Sequence, residues 1–213
     1  LLFILAISLI RIGAIPVLID AGMGPKAMAK GLLKLKIDIM IGEPKAHILR
    51  LLYPKSFASI QLFISTKKLP FAKTYSISKI KSGKWKESVS VPRKPSDKAA
   101  IFFTSGSTGP SKAVLYRNNM LQAQIKILHD HYKYKVGEID CCTFPLTGLL
   151  VRCLGLSIVF ADMDMTHPSS LKPKKLIRNL EDFGCTHLFC SPMVLRKLSE
   201  YGESKNIKLN FLK

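Results

Sequence analysis

Short apolar runs of strand length alternate with helical stretches, and this alternation restricts the fold more than any other feature of the chain. Residues 15–19, 38–42 and 60–65 read as strands. Between them, an apolar stripe at Ala27, Met28, Leu32, Leu33 and Leu35 and a stretch over 46–52 read as helices. Pro25 and Pro44 stand in the first turns of these helices, where the missing N–H breaks no bond. The alternation resumes later. Residues 118–134 are helical in spacing, the apolar, glycine-containing 147–156 reads as a helix or turn packed in the core, 141–144 and 157–161 are strand-like, and Pro173 and Pro192 open two more helices around a strand at 186–190. Asn118 or Asn119 is the expected cap of the first of these helices, and 137–140 reads as a turn. Gly13, Gly184 and Gly202 are placed to end helices. Strand and helix in this order predict parallel βαβ units, an α/β fold of layered sheets with helices packed on them.

One stretch interrupts the pattern. Thr104, Ser105, Gly106, Ser107, Thr108, Gly109, Pro110, Ser111 and Lys112 form a Gly/Ser/Thr-rich segment closed by a lysine. Apolar runs at 99–103 and 113–116 flank it and read as two strands, so a hairpin carries the segment at its tip. Such a segment suits a polyphosphate. Glycine lets the backbone approach closely, hydroxyls and N–H groups donate to phosphate oxygens, and lysine supplies a point charge. The Walker pattern fails because no Gly-Lys pair stands at the required spacing. The dinucleotide pattern fails because no glycine lies two residues before Gly106 and a strand follows in place of a long helix.

Composition sets the remaining limits. Hydrophobic residues make up 47% of the 213, enough for a sizeable core, and 22% are charged, which excludes a disordered chain. Lys and Arg number 33 against 14 Asp and Glu, a formal charge of +19. That excess favours nucleotides and allows weak peripheral contact with an anionic membrane, but the lysines are spread along the chain and form no tract that would mark a specific nucleic-acid site. The five cysteines, Cys141, Cys142, Cys153, Cys185 and Cys190, lack metal-ligand spacing and read as reduced thiols of a cytoplasmic protein. His129 and His131 flank Asp130 but do not share a helix face, Asp162 and Asp164 with His167 read as a turn, and His187 reads as half-buried. Residues 1–12 read as a buried helix, too short to span a bilayer. The sequence divides into a first βαβ portion over 1–65, a Lys/Ser/Pro-rich surface excursion or linker over 66–98, pinned by Trp85, and a phosphate-loop portion over 99–213.

The pattern T-S-G-S-T-G-x-x-K between two strands resembles the phosphate loop of the adenylate-forming superfamily, the AMP-binding enzymes that include acyl-CoA synthetases, nonribosomal-peptide adenylation domains and luciferases. Residues 13–20 resemble the family's helix-to-strand step. Residues 160–168, Ser191-Pro192 and 201–209 resemble its branch of fatty-acid–CoA ligase-like and olefin β-lactone synthetase-like proteins. The resemblance implies part of that family's large N-terminal domain and ATP-dependent conversion of a carboxylic acid, expected to be a fatty acid, into an acyl-adenylate with loss of pyrophosphate. It implies ATP and Mg²⁺, with coenzyme A as a possible acceptor. It assigns phosphate binding to Thr104, Ser105, Gly106, Ser107, Thr108, Gly109 and Lys112, and an acyl-pocket role to Phe144 and Gly148. Two departures stand out: Ser111 occupies the usual proline position, and Ala113 replaces a usual glycine. The catalytic lysine and Mg²⁺-binding glutamate of the family are expected outside this chain, which reads as an internal piece, inactive alone. The alternative reading is a degenerate segment that binds nucleotide or other polyanions without catalysis.

Overall fold

The computed structural model of the protein describes residues 1–19, 23–70, 73–83, 90–104, 112–165 and 167–213. It divides into two compact units. The first comprises Leu1–Ile15, Pro92–Ala99 and Tyr116–Lys213, and the second Pro16–Val91 and Ala100–Leu115. In chain order the elements are α1 (Leu2–Arg11), β1 (Val17–Leu18), α2 (Pro25–Leu32), β2 (Ile39–Gly42), α3 (Pro44–Leu52), a 3-10 turn (Pro54–Phe57), β3 (Leu62–Ser65), β4 (Tyr75–Ser76) and α4 (Ile77–Lys81). They continue as β5 (Lys98–Thr104), β6 (Lys112–Arg117), α5 (Asn118–Tyr132), β7 (Ile139–Cys142), α6 (Pro145–Arg152), β8 (Ser157–Phe160), α7 (Pro173–Asp182), β9 (His187–Phe189) and α8 (Pro192–Lys205).

The first unit is built on a parallel sheet in the order β8-β7-β9, with Cys142 opposite Phe160 on one side and Phe189 on the other. Its largest core joins Cys141, Leu176, Leu180, Cys185, Val194 and Leu198. α7 is sharply two-sided: Leu176, Ile177 and Leu180 are buried while Lys174, Lys175 and Arg178 are exposed, the 3.6-residue period read directly as burial. Cys142, one residue beyond Cys141, meets α6 instead. A Cβ on Gly148 would lie 2.6 Å from its sulfur and 2.9 Å from the Phe3 ring, so only glycine lets α6 come this close.

The second unit holds two sheets. One runs β2-β3-β4, all parallel; in the other β5 lies between β1 and β6, with β1 and β5 parallel. Leu32, Phe57 and Ile60 form its core. α3 is fixed on β3 by two polar side chains. His47 is buried with Nε2 3.1 Å from the Ile64 carbonyl, and Arg50 lies 4.3 Å above the Phe63 ring and donates to Thr74 Oγ1 at 3.3 Å.

Several expectations need correction. α1 forms where expected but is not buried: Ala6 is its one buried residue, and Leu2, Ile4 and Ile7 are exposed. The helix is apolar all round, so periodicity could not reveal which side would be covered. The stretch after β3 is not a bare excursion. Tyr75 and Ser76 pair with β3, and Ile77 of α4 is buried; Trp85 lies outside the described residues. Ile139 and Asp140 are not a turn but the first half of β7, with Asp140 fully buried. Asn118 and Asn119 start α5 without capping it, since the residue before the helix is Arg117 and the Asn118 amide donates to the Lys94 carbonyl at 2.8 Å. Gly202 does not end α8, which runs to Lys205 and is capped by Asn206 at φ 51°. Cys153 is exposed; no cysteine forms a disulfide. No helix among the described residues is long and apolar enough to cross a membrane.

Candidate functional site

The segment begins at the end of β5. Ala100, Phe102 and Phe103 of β5 are buried, and Ile101 N–H donates to the Pro16 carbonyl at 2.9 Å. Val17 and Leu18 of β1 pair in parallel with Ile101 and Phe102, so Thr104 stands at the carboxyl end of a parallel pair, where α/β sheets commonly bind ligands. A Cβ on Gly31 of α2 would lie 2.5 Å from the Phe103 ring, so this glycine admits the side chain that precedes Thr104. Within the first unit, Arg93 Nη1 donates to the Gly13 carbonyl at 2.6 Å and Nη2 to the carbonyl of Lys98, the first residue of β5. β6 returns beside β5, starting at the exposed Lys112. Thr104 and Lys112 thus close the segment from two neighbouring strands. Ser105, Gly106, Ser107, Thr108, Gly109, Pro110 and Ser111 lie outside the described residues.

Phe144 and Gly148 belong to the first unit. Phe144 precedes α6, its ring exposed, and its carbonyl accepts from Thr147 Oγ1 at 2.8 Å and from Cys142 Sγ at 3.2 Å. Gly148 is buried under Cys142 and Phe3, a close-packing role that leaves it no open surface. The sequence reading missed two companions of Phe144. Phe160 ends β8 and Phe189 ends β9, in one register row with Cys142, and both rings are exposed. Phe160 packs edge-on against Phe3 at 5.0 Å. Thr143 Oγ1 ties the ends of β7 and β9 by donating to the Phe189 carbonyl at 2.8 Å. The signal was available: each strand of this sheet ends on, or two residues before, a phenylalanine.

At the opposite, amino end of the same sheet is a polar cluster. Glu138 accepts from Lys213 Nζ at 2.5 Å, from the Lys135 N–H at 2.8 Å and from His187 Nε2 at 2.9 Å. These donors, Lys213 foremost, hold its carboxyl down to about 2. Tyr134 stands edge-on to His187 at 4.8 Å, and its burial raises the phenol to about 12. Asp140 lies one strand step in, and its carboxyl oxygens have no hydrogen-bond partner. Burial raises it to about 6, only partly offset by the nearby His187. Burial likewise raises the Cys141 and Cys142 thiols, Cys142 to about 11, which removes both as nucleophiles near neutral pH. No cluster of three metal-ligating side chains occurs among the described residues.

Residues 2–212, nearly the whole chain, match the family described as AMP-binding enzyme. The chain belongs to that family. Among curated relatives of this AMP-binding chain, the olefin beta-lactone synthetase of Stenotrophomonas maltophilia (strain K279a) is 34% identical over 200 residues, covering 94% of this chain and 36% of that protein. The protein of the same name from Xanthomonas campestris pv. campestris is 34% identical over 208 residues, covering 97% of this chain and 37% of that one. The chain therefore spans little more than a third of the length of either relative. Among solved structures, the amide bond synthetase McbA from Marinactinospora thermotolerans has a similar fold, with a TM-score of 0.71 at 18% identity over 99% of this chain and 41% of that one. The AMP-binding family and α/β fold expected from the sequence are both confirmed by these findings.

Proposed function

We propose that the chain serves ATP-dependent activation of a carboxylic acid, a fatty acid, to an acyl-adenylate with release of pyrophosphate. The observation that carries this reading is the family match together with a Thr-Ser-Gly-Ser-Thr-Gly-Pro-Ser-Lys segment between two neighbouring strands. A carboxylate oxygen attacks the α-phosphorus of ATP, the bond to the bridging oxygen breaks, and the electron pair leaves with pyrophosphate. Negative charge grows on that leaving group. The hydroxyls of Thr104, Ser105, Ser107 and Thr108, the backbone at Gly106 and Gly109, and the Lys112 ammonium are suited to receive it. Mg²⁺ would accompany ATP and offset further phosphate charge. Phe144 is the proposed wall for the acyl chain, and the phenylalanines that end β8 and β9 support an aliphatic substrate. Gly148 contributes by letting α6, which follows Phe144, pack closely on Cys142 of β7. Coenzyme A is one acceptor this reading admits; the relatives' names describe a β-lactone and an amide bond as other products.

Exchange of labelled pyrophosphate into ATP, driven by a fatty acid, tests the proposal in the chain itself and in a protein that carries it with its flanking sequence. Lys112→Ala is expected to lower exchange by about a hundredfold and to weaken ATP binding, in line with loss of one charge-stabilising donor. Unchanged ATP affinity would sink the loop assignment. ATP binding with no exchange in the longer protein would replace activation by nucleotide binding alone.

A further inference from the structure

We infer that the outward face of α3, with the lysines around it, is a docking surface for an anionic lipid bilayer. The helix sends His47 inward and packs Leu49 on the core of Leu32, Phe57 and Ile60. Its other face carries Ile48, Leu51 and Leu52, which are 47%, 64% and 66% exposed. Exposed Lys45 stands on the same face one turn before them, and exposed Lys55 follows in the 3-10 turn. That turn packs against both α3 and α2, and α2 repeats the pattern: Leu33, just past its end, is 59% exposed between Lys30 and Lys34. Clustered exposed aliphatic side chains mark a contact, and the charged residues named around them are mostly lysines: exposed Lys30, Lys34, Lys45 and Lys55, against exposed Glu43 at the start of α3.

Both units carry an excess of positive charge, and it is larger in this one. The second unit holds 15 of the 33 Lys and Arg but 4 of the 14 Asp and Glu, a net +11; the first unit holds the other 18 and 10, a net +8. Ion pairs such as Lys126–Asp130, Lys175–Asp162 and Arg196–Glu200 lie in the first unit, and Lys45 and Lys55 form none among the described residues. An anionic bilayer satisfies both features at once: leucines enter the acyl boundary while lysines stay at the headgroups. Nucleic acid would use the lysines but gain little from leucines, since stacking on bases calls for aromatic side chains. A second copy of the chain would bring like charges together.

Sedimentation with vesicles made of equal parts phosphatidylcholine and phosphatidylglycerol, against vesicles of phosphatidylcholine alone, tests it. The chain is expected to bind the anionic vesicles and not the neutral ones. The double change Lys45→Gln with Lys55→Gln should weaken binding roughly thirtyfold. Leu51→Ser with Leu52→Ser should weaken it roughly tenfold or more at unchanged melting temperature, because both side chains are exposed. Leu51→Trp should give an emission blue shift on anionic vesicles relative to the parent spectrum, and this reading holds even if the serine variant is unstable. Binding that ignores the leucine changes, an unshifted emission, retention on polyuridylate but not on vesicles, or a dimer that the leucine changes dissolve in the absence of lipid would each overturn the inference.

Discussion

The two units each contain a three-stranded parallel sheet, β8-β7-β9 in the first and β2-β3-β4 in the second, and they bury opposite kinds of titratable group. The first encloses a carboxyl, Asp140, with no hydrogen-bond partner for its oxygens. The second encloses an imidazole, His47, with one nitrogen at the Ile64 carbonyl and Nδ1 unpaired. Burial penalises the charged form of either group, so the same physics moves the two in opposite directions: Asp140 up and His47 down. Acid therefore favours the fold around Asp140 and opposes the fold around His47.

This contrast makes the largest prediction. Asp140 in the folded unit holds its proton up to about pH 6, whereas the unfolded chain releases it near the ordinary carboxylate value. The native state therefore binds more protons in that interval, and stability falls as pH rises through it. Glu138 acts in the other sense below its unfolded value, its contribution being lost as pH falls toward 2, so the window from about 4.5 to 6 reports Asp140 most cleanly. His47 is lowered, so its unit loses stability as pH falls through the ordinary imidazole value. Asp140→Asn should flatten the falling limb and raise the stability of the first unit at pH 7 by as much as about 3 kcal/mol. Urea melts at several pH values, followed by hydrogen exchange in β7 and in β3, measure both limbs. Parallel slopes in the two sheets would remove the contrast.

The units also differ in how a helix meets its sheet. Gly148 presses α6 on the buried Cys142 and the half-buried Phe3, whereas the atoms nearest Gly31 of α2 all belong to the Phe103 ring. Gly148→Ala is expected to cost about 1–3 kcal/mol, and Gly31→Ala less, because one ring can turn where a sulfur on β7 cannot. The readout differs too: Gly31→Ala should disturb β5 just ahead of Thr104 and weaken ATP binding, while Gly148→Ala should lower the melting temperature and leave nucleotide affinity alone. An equal loss of ATP affinity in both variants would contradict this division.

Much of this frame was legible in the chain itself, and the reasons for the exceptions are physical. Helices opened by Pro25, Pro44, Pro173 and Pro192 begin where the proline stands, because a fixed φ and an absent N–H suit that position alone. The segment from Thr104 to Lys112 is flanked by the two strands expected, β5 and β6. Burial of polar residues was not legible. Asp140 looked like a turn residue because aspartate usually is one, and only the pairing of β7 with β8 and β9 places it inside. Likewise nothing local distinguishes Ile48, Leu51 and Leu52, which face outward, from Leu49, which faces the core. The apolar period at α3 is nearly continuous, so tertiary context decided which side was covered.

Helix capping gives the smallest effect and the finest form of the comparison. Ser191 Oγ accepts from the Val194 N–H at 3.4 Å at the start of the fourteen-residue α8, and Ser76 Oγ accepts from the Lys79 N–H at 3.3 Å at the start of the five-residue α4. The two caps are alike in geometry, but the helices behind them are not. α8 buries Val194 and Leu198 in the main core, so losing its cap must be felt by the whole unit, at about 1 kcal/mol for Ser191→Ala. α4 buries Ile77 alone and is too short to hold itself together, so Ser76→Ala should open that turn locally. Global melting would then shift for the first variant only, while amide exchange would quicken at residues 77–81 for the second. A global shift of similar size from both would mean that α4 is as tightly coupled to its sheet as α8 is, and that the two units differ in charge but not in cohesion.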